Sequence, residues 1–281
     1  MNKVICLLGA GRSGTTILSI ILGNNNDAIN LGELNRYFLR KGEPHGFPRE
    51  SHKYKIWIDF NQKYFPNLVN TECKNYKFEK HKYLFHNLLR LFKKRKEDYT
   101  KIINKFYKSL FDYFDKSLII DASKYPNRCL SLNKYLNDVE IYNVYLVRNP
   151  IGVINSFSKK DIEQDYRGYL SANFYYFLAN LLSHIVFFTL PKSKRIKIKY
   201  EDVLNNPIVS LEKIERKFKL DLNKSKNIIA NDCKLDTGYQ FDGNRIRLKN
   251  YIKLKKENSI NHPKSFKDYV TLLINGFWYY L

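Results

Sequence analysis

The sequence predicts an α/β fold, a mostly parallel sheet flanked by helices, with an inserted helical lobe. Apolar runs of strand length recur at Val4–Leu8, Leu118–Asp121, Ile141–Val147 and Arg195–Lys199. Helical patterns separate them, and strands that alternate with helices assemble into parallel sheets. The first run feeds a glycine-spaced turn, Gly9-Ala10-Gly11-Arg12-Ser13-Gly14-Thr15-Thr16, followed by Ile17, Leu18, Ile20, Ile21 and Leu22 as the buried side of a helix. The 281 residues read as a single domain, with the helical insertion at about 36–115.

Val4–Leu8 is continuously apolar, as a buried strand is. After the first helix, Asn30-Leu31-Gly32-Glu33 forms a short second apolar run. The connection that follows, from Asn35 to Lys116, is far longer than a crossover needs. It opens with a loop carrying Pro44, Gly46 and Pro48, and its periodicity predicts helices at Tyr54–Lys63, Lys80–Lys94 and Asp98–Phe114. In an α/β enzyme such a lobe shapes the pocket over the strand ends, which makes Arg36, Arg40, Tyr54 and Trp57 candidates for selecting an acceptor. The run Lys93-Lys94-Arg95-Lys96 reads as a solvated helix end. Pro150 opens a helix after the third strand. Tyr169–Pro191 carries no formal charge and approaches membrane-spanning length, but Asn173, Asn180, Ser183 and His184 interrupt it. A buried helix that crosses the sheet is the expectation. Arg195–Lys199 alternates, with Ile196 and Ile198 on one face and lysines on the other. The apolar and aromatic Phe266–Leu281 reads as a packing helix.

With 44% apolar residues the chain can fill a core, and the formal charge of +22 favours anionic ligands through long-range attraction. The charge does not choose among them. Lysine outnumbers arginine almost three to one, and Asn, Ile, Tyr and Phe are plentiful, as an AT-rich coding sequence also produces. Nucleic acid is therefore not an expected partner. Cys6, Cys73, Cys129 and Cys233 lie far apart and form no metal-ligand spacing with the six histidines, as expected of reduced structural thiols. The first strand begins almost at Met1, so neither a leader nor a transmembrane segment is expected, and the predicted location is cytoplasmic.

Strand, glycine turn and helix together present backbone N–H groups and a helix N-terminus to an anion. The spacing Gly9-x4-Gly14-Thr15-Thr16 matches a Walker A loop, except that Thr15 stands where the lysine belongs; Arg12 supplies a cation instead. Further along, Tyr145-Leu146-Val147-Arg148-Asn149-Pro150 carries an arginine at a strand end, and Ser156 follows eight residues later. The two can converge on one anion at the carboxyl edge of the sheet.

Gly11-Arg12-Ser13-Gly14-Thr15-Thr16 resembles the 5′-phosphosulfate loop of sulfotransferases, enzymes of P-loop-like fold that use 3′-phosphoadenosine 5′-phosphosulfate (PAPS). The Arg148 and Ser156 segment resembles their 3′-phosphate motif. The resemblance implies that Gly11 to Thr16 hold the sulfate end of the donor and that Arg148 and Ser156 hold its 3′-phosphate. Lys199-Tyr200-Glu201-Asp202-Val203-Leu204 is similar to a family segment in which Tyr200 packs near the nucleotide. Phe241-Asp242-Gly243-Asn244-Arg245-Ile246-Arg247 is similar to a late family loop, which implies that Asn244 and Arg245 close over the phosphate end. Glu33, in Leu31-Gly32-Glu33, resembles the Gly-Glu base site of tyrosylprotein sulfotransferases. As base it would take the acceptor proton, while His45 and His86 are alternatives outside any motif. Lys124 follows a strand where the family often carries a Ser-Lys pair, which implies that its ammonium, with Arg12, neutralises the leaving oxygen. The expected acceptor is a glycan hydroxyl, and the scheme calls for no metal.

Two rival readings stay in view. An atypical P-loop kinase would use Asp121 as its magnesium aspartate, but Thr15 in place of lysine disfavours it. A non-catalytic polyanion binder would need no paired phosphate motifs.

Overall fold

The computed structural model describes residues 1–67, 97–158, 166–255 and 262–280. Five strands, β1 (Asn2–Leu8), β2 (Ala28–Gly32), β3 (Leu118–Lys124), β4 (Val139–Val147) and β5 (Arg195–Lys199), form one parallel sheet in the order β2-β3-β1-β4-β5. β1 is central, with Val4 opposite both Ile119 and Ile141. Alternate side chains of a strand point to opposite faces. Val4, Cys6 and Leu8 therefore join one apolar cluster while Ile5 and Leu7 join another. Two helix layers result, one on each face.

On the Ile5 face lie α1 (Thr15–Gly23) and, after α8 (Tyr200–Asn205), the helix α9 (Pro207–Phe218), which contributes Leu211, Ile214 and Phe218. α10 (Asn223–Ala230) continues this layer and the short strands β6 (Leu235–Asp236) and β7 (Tyr251–Ile252) pair beside it. The Val4 face is covered by α2 (Arg36–Leu39), α3 (His52–Tyr64), α4 (Glu97–Phe114), α5 (Pro126–Tyr135) and part of α7 (Tyr169–Thr189). α6 (Pro150–Phe157) and α11 (Phe266–Tyr280) pack with α7 at one side of the molecule.

The helices of the 36–115 segment lie directly on the sheet: Tyr37, Phe38, Trp57, Phe60 and Phe106 share one buried cluster with the strands. The expected Tyr54–Lys63 helix runs His52–Tyr64, with Ser51 Oγ accepting the Tyr54 N–H at 3.2 Å as its N-cap. The expected Asp98–Phe114 helix runs Glu97–Phe114. Lys80–Lys94, the basic run at 93–96, His86 and Cys73 lie outside the described residues. Trp57 corrects an expectation. It is fully buried, and its Nε1–H donates to the Tyr239 carbonyl at 2.8 Å, so its face is unavailable to an acceptor.

α7 is the uncharged helix expected at 169–191; Asn173, Asn180 and Ser183 are buried with backbone partners one turn back, while His184 is half-buried. Asn180 Oδ1 accepts the Tyr145 hydroxyl at 2.8 Å. No helix among the described residues is long and apolar enough to cross a membrane. Cys6 and Cys129 are buried free thiols, and Cys129 donates to Asn143 Oδ1 at 2.7 Å.

The short apolar run at 30–33 belongs to the fifth strand, β2, which starts earlier, at Ala28, and falls short of an unbroken strand-length run because Asn30 and Gly32 break its pattern. Both have structural work to do. Asn30 Oδ1 accepts the Gly32 N–H at 3.1 Å, and Gly32 adopts φ +71°. Residues 239–242 run along the free edge of β2, with Tyr239 N–H donating to Asn30 O, Phe241 N–H to Leu31 O, and Glu33 N–H to Asp242 O. This contact seals the edge. It also carries the late loop to Glu33.

Candidate active site

The turn after β1 needs its glycines where two other elements press on it. A Cβ on Gly9 would lie 2.4 Å from the Leu146 carbonyl oxygen. Gly14, at φ +89°, precedes α1, and a Cβ there would lie 2.0 Å from Cδ2 of Tyr200. The Gly11 N–H donates to the Tyr175 hydroxyl at 2.8 Å, which ties the turn to α7. Burial pushes that hydroxyl well above the ordinary tyrosine pKa, so it stays neutral. α1 begins at Thr15 with no side-chain cap and no acidic residue in its first turn. Its N-terminal N–H groups therefore keep the partial positive charge that attracts anions. Ser13 Oγ is fully buried with no hydrogen-bond partner among the described residues. A buried hydroxyl beside a bare helix N-terminus fits a phosphate or sulfate oxygen.

Arg148, at the end of β4, reaches this turn. Its Nη1 donates to the Arg12 carbonyl at 3.2 Å, and its guanidinium lies 4.4 Å from the centre of the Tyr200 ring. Tyr200 thus packs against both Gly14 and Arg148, which joins the two candidate phosphate motifs into one wall. Arg148 is also fixed from behind, because the Tyr176 hydroxyl donates to its carbonyl at 2.7 Å. Ser156 is half-buried on α6, whose first turn is capped by Asn149 Oδ1 accepting the Ile151 N–H at 3.0 Å. The Arg12 guanidinium lies 5.8 Å from the centre of the Phe157 ring, and Arg167 lies 4.7 Å from that of Tyr175. Arg167, Phe157 and Tyr175 had no signal in the sequence. They come to the turn from helices α6 and α7 and the residues between them.

The second half of the site sits beyond β2 and β3. Glu33 and Lys124 are both buried, and Lys124 Nζ donates to Glu33 Oε1 at 2.5 Å. Arg36 Nε lies 3.4 Å from Glu33 Oε2 and 3.7 Å from Asp242 Oδ2, and Arg40 Nε donates to Asp242 Oδ2 at 2.6 Å. Burial works against the Arg36 cation, but Glu33, Tyr125 and Asp242 outweigh it and raise its pKa. The loop carrying Asn244 and Arg245 follows Gly243, where a Cβ would meet Glu33 Cγ at 3.9 Å. Asn244 Oδ1 accepts the Ile246 N–H at 3.1 Å and caps a short 3₁₀ turn, while Arg245 is exposed. The fully buried Arg247 donates to Gly243 O and His45 O, both at 2.7 Å, and fastens this loop to the Pro44–Pro48 segment.

Arg12 and Lys124 adopt φ +69° and +56°. Lys41, Asp115, Lys219 and Asp232 share that conformation just after helices, where it is common, and Asp138 adopts it directly before β4. Strained residues at strand ends are characteristic of functional sites. Asp121 is engaged elsewhere. Its carboxylate accepts from the Tyr107 hydroxyl at 2.5 Å, Arg128 Nε at 3.3 Å and the Ser123 N–H at 2.8 Å, all in the buried core.

The sequence profile described as the sulfotransferase family matches residues 5–224. The chain belongs to the sulfotransferase family and is a transferase with the α/β fold of that family. Among solved structures, it is similar to the sulfotransferase domain from the curacin biosynthetic pathway, with TM-score 0.57, 15% identity and 97% of each chain covered. The sulfotransferase domain of the Synechococcus PCC 7002 olefin synthase gives TM-score 0.55 and 16% identity over 100% of this chain and 95% of the other. Sulfotransferase STF9 from Mycobacterium avium gives TM-score 0.51 and 11% identity over 86% and 72%. At these identities the likeness concerns the fold. No curated protein matches the chain.

Gly14→Ala is expected to destabilise the protein by about 1–3 kcal/mol through its left-handed backbone alone, before its methyl meets Tyr200. A thermal melt beside wild type reads the loss.

Proposed function

We propose that the protein transfers a sulfuryl group from PAPS to an acceptor hydroxyl, with a carbohydrate as the first acceptor class to test. The observation that carries this reading is the bond from Arg148 to the Arg12 carbonyl, which brings both candidate phosphate motifs to one wall. The donor supplies an activated sulfuryl group whose leaving oxygen belongs to the 5′-phosphate. Gly11 to Thr16 and the α1 N-terminus would hold its sulfate end, with Arg12 adding a positive charge. Arg148 and Ser156 would hold the 3′-phosphate, and Tyr200 would form the wall between the ends. Asn244 and Arg245 would close on the donor from the Glu33 side.

Glu33 takes the proton of the acceptor hydroxyl. The freed oxygen electron pair forms a bond to sulfur as the bond from sulfur to the 5′-phosphate oxygen breaks. Lys124, bonded to Glu33, would neutralise charge on that leaving oxygen. The scheme asks for no metal, and we place the reaction in the cytoplasm, in one domain spanning residues 1–281 with 36–115 as its insertion.

The test is calorimetric titration with adenosine 3′,5′-bisphosphate, with and without EDTA, alongside ATP plus magnesium. Metal-independent binding is expected, tighter than that of ATP. Arg148→Ala is expected to weaken it by roughly 10- to 100-fold, the loss of charge-assisted hydrogen bonds to a phosphate. Magnesium-dependent ATP binding without bisphosphate binding would replace this reading with the kinase.

A further inference from the structure

α11 is turned inside out for a packing helix. It buries Thr271, Asn275, Gly276 and Trp278, and it exposes Phe266, Tyr269, Leu273, Ile274, Phe277 and Tyr280. Leu273 is 83% exposed. Its hold on the protein is substantially polar, with Asn275 Nδ2 donating to Asn173 Oδ1 at 2.9 Å and Thr271 to the Tyr169 hydroxyl at 3.1 Å. α7, which packs on α11 through Tyr169, Asn173 and Phe177, exposes Leu170 at 78% and Phe174 at 61%, one turn apart. Single exposed apolar residues are ordinary, but this many aromatic and aliphatic side chains exposed on two packed helices mark an interaction surface.

The chemistry around the face says what covers it. Residues 269–280 carry no formal charge, and the start of the stripe is cationic, with Lys264 and Lys267. At its finish Lys199 Nζ lies 4.6 Å from the centre of the Tyr279 ring, Lys197 Nζ donates to the Trp278 carbonyl at 2.8 Å, and Glu201 hydrogen-bonds with Tyr279, so the charge there is mixed. Asp268 is the one acid of α11, and its carboxylate is occupied by the Lys264 and Ser265 N–H groups, each at 3.0 Å. Apolar and aromatic side chains between lysines match an anionic lipid surface, with rings at headgroup depth and ammonium groups on the phosphates. A second copy of the chain would bring another net charge of +22 against the same face. No helix among the described residues is long and apolar enough to cross a membrane, and the apolar stripe of α11 suits a helix lying along one.

We infer that the exposed face of α11 and the start of α7 docks the protein on anionic membranes. The experiment is cosedimentation of the purified full chain with vesicles of phosphatidylglycerol and phosphatidylcholine in equal parts, and with vesicles of phosphatidylcholine alone. Binding is expected to the mixed vesicles, weaker to the neutral ones, and weaker again in high salt. The double variant Leu170→Glu with Leu273→Glu is expected to lose more than about tenfold in partitioning, because two exposed leucines would otherwise enter the interface. Its melting temperature and bisphosphate titration should match wild type. Lys264→Glu with Lys267→Glu tests the charge separately and is expected to reduce binding to mixed vesicles alone. Absence of vesicle binding overturns the inference, as does binding that neither double variant weakens. It is likewise overturned if wild type sediments as a dimer that the leucine variant dissociates, because the face then belongs to a second copy.

Discussion

Glu33→Gln is expected to slow sulfuryl transfer by about 10²- to 10⁴-fold, the usual contribution of a general base, with bisphosphate binding unchanged. Glutamine keeps the volume of Glu33 and an oxygen for Lys124, now at 2.5 Å, but it cannot accept the acceptor proton. The loss therefore belongs in kcat. Transfer of labelled sulfate from PAPS to a panel of carbohydrate acceptors, measured beside the titration, separates the two effects. An unchanged rate would remove Glu33 from the chemistry and leave it as the counter-ion of Lys124 and Arg36. A parallel fall in bisphosphate binding would show instead that the substitution has disturbed the donor side.

The second large effect is on stability. Arg128→Met is expected to destabilise the protein by about 3–5 kcal/mol, because it leaves the Asp121 charge buried without its cation. Arg128, Asp121 and Tyr107 are all fully buried, and Arg128 Nη2 also donates to the Tyr107 hydroxyl at 3.2 Å. Burial pushes that hydroxyl far above the ordinary tyrosine range, so Tyr107 is a neutral donor and cannot replace the lost cation. Chemical denaturation reads the change. Adding Asp121→Asn to the variant is expected to recover part of the loss by removing the orphaned charge. The same residue tests the rival kinase reading. A magnesium aspartate would lose metal-dependent ATP binding on Asp121→Asn, whereas a structural one loses stability.

The strand, turn and helix that carry the two candidate phosphate motifs were legible because their signals are local. Glycine spacing, the strand before Gly9 and the apolar period after Gly14 all occur within about one supersecondary unit of chain. Arg148 was legible for the same reason, as a cation where an apolar strand stops. β2 was legible only as a short apolar run, since Asn30 and Gly32 interrupt its five residues for the sake of contacts with a segment two hundred positions away. Tyr175 touches Gly11 across 164 residues, and no pattern in α7 announces which of its tyrosines faces the turn. The Arg36, Arg40 and Asp242 group likewise depends on the late loop being laid along β2. Trp57 shows the opposite failure. An aromatic on an amphipathic helix reads equally as a platform or as core, and only packing decides.

The join between Arg148 and the Arg12 carbonyl has a consequence for discrimination among nucleotides. The turn is braced on Tyr200 and on Tyr175, so its position is set by the protein itself. Under the proposed reading such a wall would act as a gauge block. A nucleotide anionic at one end only would engage half of it, whereas one phosphorylated on both sides of the ribose would span it. ATP, whose charges are strung out from the 5′ side, would then be turned away by length and placement rather than by any clash with its base.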